Sequence, residues 1–127
     1  MDDDATTLSI YETGLAAAGY AIKTFLSPKK AKEYFTGLKA GEAPHVILMD
    51  IIMPGIDGIS LLHDIHSMDN IAHVSIIAVS GLHDNVTLND ALLFGAMDYL
   101  VKPFDMETLK LKIKKAFELS QQRIPKT

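Results

Sequence analysis

The chain has 127 residues, of which 48% are hydrophobic, so it can bury the core of one domain but not of two. Its formal net charge of -4 argues against a nucleic-acid-binding face, and the lack of cysteine excludes disulfides, thiolate metal sites and a cysteine nucleophile. No apolar run is long enough to span a membrane, and the residues after Met1 show no signal-peptide pattern. We therefore expect a cytoplasmic domain that contacts neither nucleic acid nor a membrane.

Helix and strand patterns alternate along the chain with short connections, which predicts an α/β fold with a mostly parallel sheet. In chain order the patterns predict helix 6–18, strand 20–26, helix 28–38, strand 45–50, helix 59–66, strand 74–80, helix 85–94, strand 97–101 and helix 105–120. We assign residues 1–120 to one domain and residues 121–127 to a short C-terminal tail or linker stump.

Reactive side chains follow the strands at their carboxyl ends. Asp50, Ser80 and Lys102 each end or follow a strand, and Asp2 and Asp3 stand at the start of the chain. Because the carboxyl ends of parallel strands meet at one edge of a sheet, we expect these groups to lie close together. Carboxylates that converge repel one another unless a cation is present, and oxygen ligands favour Mg2+. A metal and a lysine around one carboxylate are what phosphoryl transfer to that carboxylate requires, with Asp50 as the nucleophile.

The motifs resemble those of the response-regulator receiver domain of two-component signalling, in order and spacing and over essentially the whole chain. The matching segments are Asp2-Asp3, Gly19-Tyr20, Leu48-Met49-Asp50, Met53-Pro54, Asp57-Gly58, Ser80 and the run from Gly95 through Lys102-Pro103 to Phe104.

The resemblance implies that Asp50 is the phosphoacceptor. It also implies an Mg2+ site made of Asp50, the backbone carbonyl of Ile52, Asp3 as a direct ligand and Asp2 through a water molecule. The chain would catalyse only its own phosphorylation and dephosphorylation, so we do not expect it to be an enzyme acting on other substrates.

The same resemblance assigns the remaining site residues and the partners. Ser80 and Lys102 would contact the phosphoryl group, and the ring of Tyr99 would turn inward when Ser80 moves toward the phosphate. The Lys102-Pro103 bond is usually cis in this family. The implied partners are a histidine kinase or histidine phosphotransfer protein, a downstream effector or linked output domain, and a second copy bound through the fourth helix, last strand and last helix.

The fold implied by the resemblance is a flavodoxin-like, doubly wound parallel sheet of order 2-1-3-4-5 with five helices. The first strand of that sheet is missing, because only Met1 precedes the acidic pair. This strand would lie between strands 20–26 and 45–50, whose backbone groups lose partners without it. Three explanations remain open: a sequence that starts too late, a strand supplied from elsewhere, and a sheet that closes imperfectly. We favour the first, with Met1 as the tail of the lost strand.

Two other functions need residues that the sequence does not contain. A haloacid-dehalogenase type of phosphatase needs a second aspartate two residues after Asp50, where Ile52 stands. A flavodoxin-like cofactor binder needs a Gly/Ser/Thr-rich first turn, which is absent from the sequence. The alternative that remains is a degenerate, non-phosphorylated receiver that acts as a protein-interaction module.

Overall fold

The computed structural model describes residues 1–2, 4–38, 43–53, 56–68, 71, 74–81 and 85–123. Within this part of the chain there are five helices, α1 (Ala5–Ala17), α2 (Pro28–Thr36), α3 (Gly58–His66), α4 (Asn85–Leu93) and α5 (Met106–Arg123). The strands are β1 (Val46–Asp50), β2 (Ile52–Met53), β3 (Ile56–Asp57), β4 (Ser75–Gly81) and β5 (Asp98–Lys102). None of the helices described is long and apolar enough to cross a membrane.

The main sheet is parallel and has β4 between β1 and β5. This order is the one expected for the last three strands of a 2-1-3-4-5 sheet, and it confirms the predicted α/β class. Every residue of β4 from Ser75 to Ser80 is buried, because helices cover both faces of the sheet. Strands β2 and β3 form a separate antiparallel pair in the segment between the predicted strand 45–50 and the predicted helix 59–66.

Local capping residues start the helices where the sequence predicted them. Asp4 accepts a hydrogen bond from the backbone nitrogen of Thr6 at 2.9 Å, and Ser27 caps α2, which begins with a proline. Asp57 and Asp105 cap α3 and α5, and the hydrogen bonds that they accept lower the pKa of both carboxyl groups. Helix α5 continues to Arg123, three residues beyond the predicted end of this helix at residue 120.

Two apolar clusters fill the space between the sheet and the helices. One is formed by α1 and α5 against the sheet, and it includes Leu8, Leu15 and Ile113. The other covers the opposite face, where α2 and α3 contribute Phe35 and Leu62. The two clusters hold the carboxyl ends of the strands in a fixed arrangement.

The predicted strand at residues 20–26 is wrong, because this segment has no strand structure. Near the end of this segment, the carbonyl of Phe25 accepts a hydrogen bond of 3.2 Å from the nitrogen of Asp2. Met1 lies on the other side, with its nitrogen 2.6 Å from the carbonyl of Leu48 and its carbonyl 3.0 Å from the nitrogen of Asp50. A strand requires hydrogen-bonded neighbours along its length, and within the described residues the bond from Asp2 to Phe25 does not extend into such a ladder.

Candidate functional site

Asp50 and Lys102 lie together at the carboxyl edge of the main sheet. Asp50 is the last residue of β1 and is paired with Val79, and Lys102 is the last residue of β5 and is paired with Gly81. Strand β4 therefore lies between Asp50 and Lys102, and a lysine side chain is long enough to reach across this one strand. The parallel register brings together two residues that are far apart in the sequence.

The ammonium group of Lys102 is held between two buried carboxylates. Its Nζ atom is 2.8 Å from Oδ2 of Asp2 and 3.1 Å from Oδ2 of Asp50. Burial by itself would lower the pKa of Lys102, but the hydrogen bonds to Asp2 and Asp50 outweigh it and raise this pKa above the ordinary value. Lys102 is therefore a permanent positive charge beside Asp50 over the physiological pH range.

The main chain holds Asp2 firmly at this edge. The side chain of Asp2 is 1% exposed, and its Oδ1 accepts a hydrogen bond of 3.0 Å from the nitrogen of Asp4. The amino group of Met1 is also buried there, and burial lowers its pKa to about 6, while the charges of Asp2 and Asp50 act in the opposite direction. The site thus contains several charges that have little access to water.

The arrangement of the carboxylates suits a hard cation. Asp2 and Asp50 both point an oxygen at a single positively charged atom, and Mg2+ is commonly bound through one or two carboxylates together with water. Asp3 lies outside the described residues, and Ile52 is described only as part of the backbone of β2. In the described part of the chain, no group of three or more His, Cys, Asp or Glu residues is placed to hold a metal ion.

Ser80 lies at the same edge as Asp50, whereas Tyr99 does not. Ser80 is fully buried in β4 and is paired with Val101, next to the end of β5. Tyr99 is 37% exposed, and Nζ of Lys112 lies 5.1 Å from the centre of its ring. The Lys102-Pro103 peptide bond is cis, as the resemblance implied.

Two features of the site were not predicted from the sequence. The first is Gly58, the first residue of α3, where a Cβ atom would overlap the backbone of Ile51 and so push apart the helix and the segment after Asp50. The motif Asp57-Gly58 was a signal for this glycine. The second is the hydrogen bond from the Met1 amino group to the carbonyl of Leu48; the sequence placed Met1 beside this strand but gave no signal for a buried amino group.

Comparison with known proteins identifies the family. The family described as the response regulator receiver domain matches residues 1–114. The chain is 34% identical over 115 residues to the transcriptional regulatory protein PrrA of Mycobacterium leprae, covering 90% of this chain and 46% of PrrA. It is 35% identical over 123 residues to PgtA, a phosphoglycerate transport system transcriptional regulatory protein of Salmonella typhimurium, covering 97% of this chain and 28% of PgtA. The chain spans less than half the length of these curated relatives.

Solved structures give the same assignment. The receiver domain of NtrX from Brucella abortus superposes with a TM-score of 0.81 at 25% identity, covering 92% of this chain and 94% of that domain. A response regulator receiver domain protein from Clostridium thermocellum superposes with a TM-score of 0.84 at 26% identity, covering 95% of this chain and 93% of that one. The match over residues 1–114, together with this agreement in fold, shows that the chain belongs to the response-regulator receiver-domain family.

Proposed function

We propose that this chain accepts a phosphoryl group on Asp50 from the phosphohistidine of a histidine kinase or histidine phosphotransfer protein. The observation that carries the proposal is the position of the Lys102 ammonium, which contacts Asp50 and a second buried carboxylate, that of Asp2. A lysine in this position offsets the charge of an incoming phosphoryl group at the carboxylate that attacks it. Membership of the receiver-domain family supports the same role.

The reaction on Asp50 is a transfer between two nucleophiles. A carboxylate oxygen of Asp50 forms a bond to phosphorus while the bond from phosphorus to the donor imidazole nitrogen breaks. The imidazole leaves with the electron pair and takes up a proton. Lys102 already lies within hydrogen-bond distance of Asp50 and would pair with a phosphoryl oxygen, and the hydroxyl of Ser80 would donate a hydrogen bond to another.

A divalent cation belongs to this proposal. Asp50, Asp3, Asp2 and the backbone carbonyl of Ile52 would hold Mg2+, with Asp3 as the direct ligand and Asp2 acting through water. When bound, the ion supplies positive charge to the phosphoryl oxygens during transfer. Separate Asp2→Asn and Asp3→Asn variants would test the division of roles, because loss of the direct ligand should weaken Mg2+ binding more than loss of the water-mediated one.

The result of phosphorylation would be a change in partner binding. In this structure the side chain of Tyr99 faces outward and is partly exposed, on the face made by α4, β5 and α5. Movement of Ser80 toward the phosphoryl group would leave room for this ring to turn inward. A downstream effector, a linked output domain or a second copy would detect the altered face.

Phosphorylation with acetyl phosphate and Mg2+ tests the acceptor role directly. Intact-mass spectrometry should show one added phosphoryl group on the parent chain and none on Asp50→Asn. Asp64→Asn is a matched control, since Asp64 is a surface carboxylate paired with Lys32 far from this edge, and it should be phosphorylated like the parent. An unmodified parent, or an Asp50→Asn chain that still gains the group, would refute the proposal; an unmodified parent is also the result expected of a degenerate receiver.

A further inference from the structure

One side of the chain is basic, although the chain as a whole is acidic. Residues 20–38 contain four lysines and one glutamate, which gives +3, and the whole chain has -4, so the remaining residues carry -7. Three of these lysines, Lys23, Lys29 and Lys30, are exposed and form no ion pair within the described residues, and the fourth is paired with a carboxylate of α3. Positive charge is therefore concentrated on a surface that has few counter-charges of its own.

The start of α2 is an unfavourable place for two of these charges. Lys29 and Lys30 lie in the first turn of the helix, at the positive end of its dipole, and this turn holds no acidic residue. Glu33 is the single carboxylate of α2, and it forms no ion pair with a described residue. The fold gains nothing from lysines at these positions, which points to an anionic group outside the chain.

An exposed tyrosine stands between two of the lysines. Tyr34 follows Lys30 by four residues on α2, so the two side chains share one face of the helix. Nζ of Lys23 lies 4.8 Å from the centre of the Tyr34 ring, and Tyr34 is 36% exposed. Leu26, directly before the cap of α2, is 53% exposed. We call the surface made by Lys23, Leu26, Lys30 and Tyr34 the α2 patch.

Contacts with other rings hold Tyr34 in place. The centre of its ring lies 5.2 Å from that of Phe25 and 5.9 Å from that of Phe35, a residue of the core. A tyrosine fixed in this way offers a large contact area at a small entropic cost, and tyrosine is enriched among the residues that dominate protein interfaces. The ring and the two ammonium groups beside it suit a protein surface that combines apolar side chains with carboxylates.

The α2 patch borders the edge of the sheet that holds Asp50. The carbonyl of Phe25 accepts a hydrogen bond from the nitrogen of Asp2, whose carboxylate contacts Lys102. The segment that leads from Phe25 into α2 therefore reaches the same edge as the proposed phosphoacceptor. It lies beyond β1, on the side away from β4, β5 and Tyr99. A protein that brings a phosphoryl group to this edge can contact the α2 patch while the face made by α4, β5 and α5 stays free.

We propose that the α2 patch binds the protein that donates the phosphoryl group, through carboxylates beside its phosphohistidine. This inference rests on the proposed function, because it names the surface by which that donor is recognised. Lys23 and Lys30 pair with the carboxylates, and Tyr34 packs against the apolar side chains between them. The negative charge on the rest of the chain disfavours other orientations, so the donor docks with its phosphohistidine toward Asp50. A nucleic acid fits less well, since it needs a wider basic surface than one short patch.

Phosphoryl transfer from two synthetic phosphohistidine peptides tests the proposal. Both have about 15 residues, enough to extend from Asp50 to α2, with glutamate at the outer positions of one and glutamine at those of the other. The receiving chains are the parent, a Lys23→Gln/Lys30→Gln double variant, and a control. The control is Lys110→Gln/Lys114→Gln, which removes the same charge from exposed positions of α5. The readout is the initial rate of Asp50 phosphorylation by intact-mass spectrometry at low and high salt.

The parent should react about tenfold faster with the glutamate peptide than with the glutamine peptide at low salt. This preference should fall to about twofold or less in the Lys23→Gln/Lys30→Gln chain and in the parent at high salt, and it should persist in the control. All three chains should react equally with acetyl phosphate, which is too small to reach the α2 patch, and this checks that each is folded. Equal rates of the parent with both peptides, or a preference that the Lys23→Gln/Lys30→Gln chain retains, would overturn the proposal.

Binding without transfer separates this proposal from the proposed function. In fluorescence anisotropy, the labelled, unphosphorylated glutamate peptide should bind the parent and the control more tightly than the Lys23→Gln/Lys30→Gln chain. A parent that acetyl phosphate leaves unmodified refutes the proposed function, whereas equal binding to all three chains refutes the role of the α2 patch alone. A single-stranded oligonucleotide of equal charge that binds the parent more tightly than the glutamate peptide, and binds the double variant weakly, would overturn the proposal in favour of a nucleic acid.

Discussion

Replacement of Lys102 by methionine is the sharpest test of the charge arrangement at the site. The change keeps a long apolar side chain but removes the ammonium group and its hydrogen bonds of 2.8 Å and 3.1 Å to Asp2 and Asp50. The two carboxylates, which are 1% and 7% exposed, then face each other without that cation. We expect the folded state to lose stability for this reason and not through loss of packing.

The expected loss can be estimated from burial. Removing one partner of a buried ion pair typically costs about 3–5 kcal/mol. The Lys102 side chain is 31% exposed, so water screens part of the interaction. We therefore expect the free energy of unfolding at pH 7 to fall by about 2–4 kcal/mol.

Urea unfolding of the parent, Lys102→Met and Lys110→Met chains measures this difference, since Lys110 is an exposed lysine of α5. Mg2+ should stabilise Lys102→Met more than the parent, because the ion replaces the lost positive charge. A Lys102→Met chain within about 0.5 kcal/mol of the Lys110→Met control would refute the reasoning, since that is the usual effect of a surface substitution.

Three other predictions concern the structure around the site. Gly58→Ala should destabilise the chain by about 1–3 kcal/mol in urea unfolding and slow phosphorylation by acetyl phosphate, because the new Cβ atom would overlap the segment between β1 and β2. Gly37→Ala is the control: its Cβ atom meets only ordinary contacts, so this variant should behave like the parent. The amino group of Met1 has a pKa of about 6 in the folded chain against an ordinary 8.0, so the unfolded state binds more protons between these values. The free energy of unfolding should therefore fall by about 2 kcal/mol as the pH drops from 8 to 6. An N-acetylated chain lacks this group, and an equal slope in both chains would contradict the assignment. Lys112→Met removes the cation beside the ring of Tyr99, so nuclear magnetic resonance should show larger chemical-shift changes of this ring than a Lys110→Met control does.

The helices could be predicted because their signals are local. Asp4, Ser27 and Asp105 each accept a hydrogen bond from a backbone nitrogen two or three residues away. The residues that determine the cap and the first turn are therefore close together in the sequence. The predicted helix boundaries agree with α1 to α5 within three residues at each end. Tertiary packing was not needed to find them.

The structure of residues 20–26 could not be predicted from such local signals. Its alternating sequence is compatible with a strand, but a strand is completed by the backbone of a neighbour. Within the described residues, the backbone bond between Asp2 and Phe25 does not extend into a ladder along this segment. By contrast, β1 and β4 each have a full partner and agree with the prediction.

The sequence by itself determined the α/β alternation, the helix starts, and the placement of Asp50, Ser80 and Lys102 at the ends of strands. It could not determine that Lys102 binds Asp2 as well as Asp50, or that the ring of Tyr99 faces outward. The Asp2–Lys102 contact joins residues 100 positions apart. Such contacts form only when the sheet register and the helix packing bring distant segments together, so no local sequence pattern predicts them.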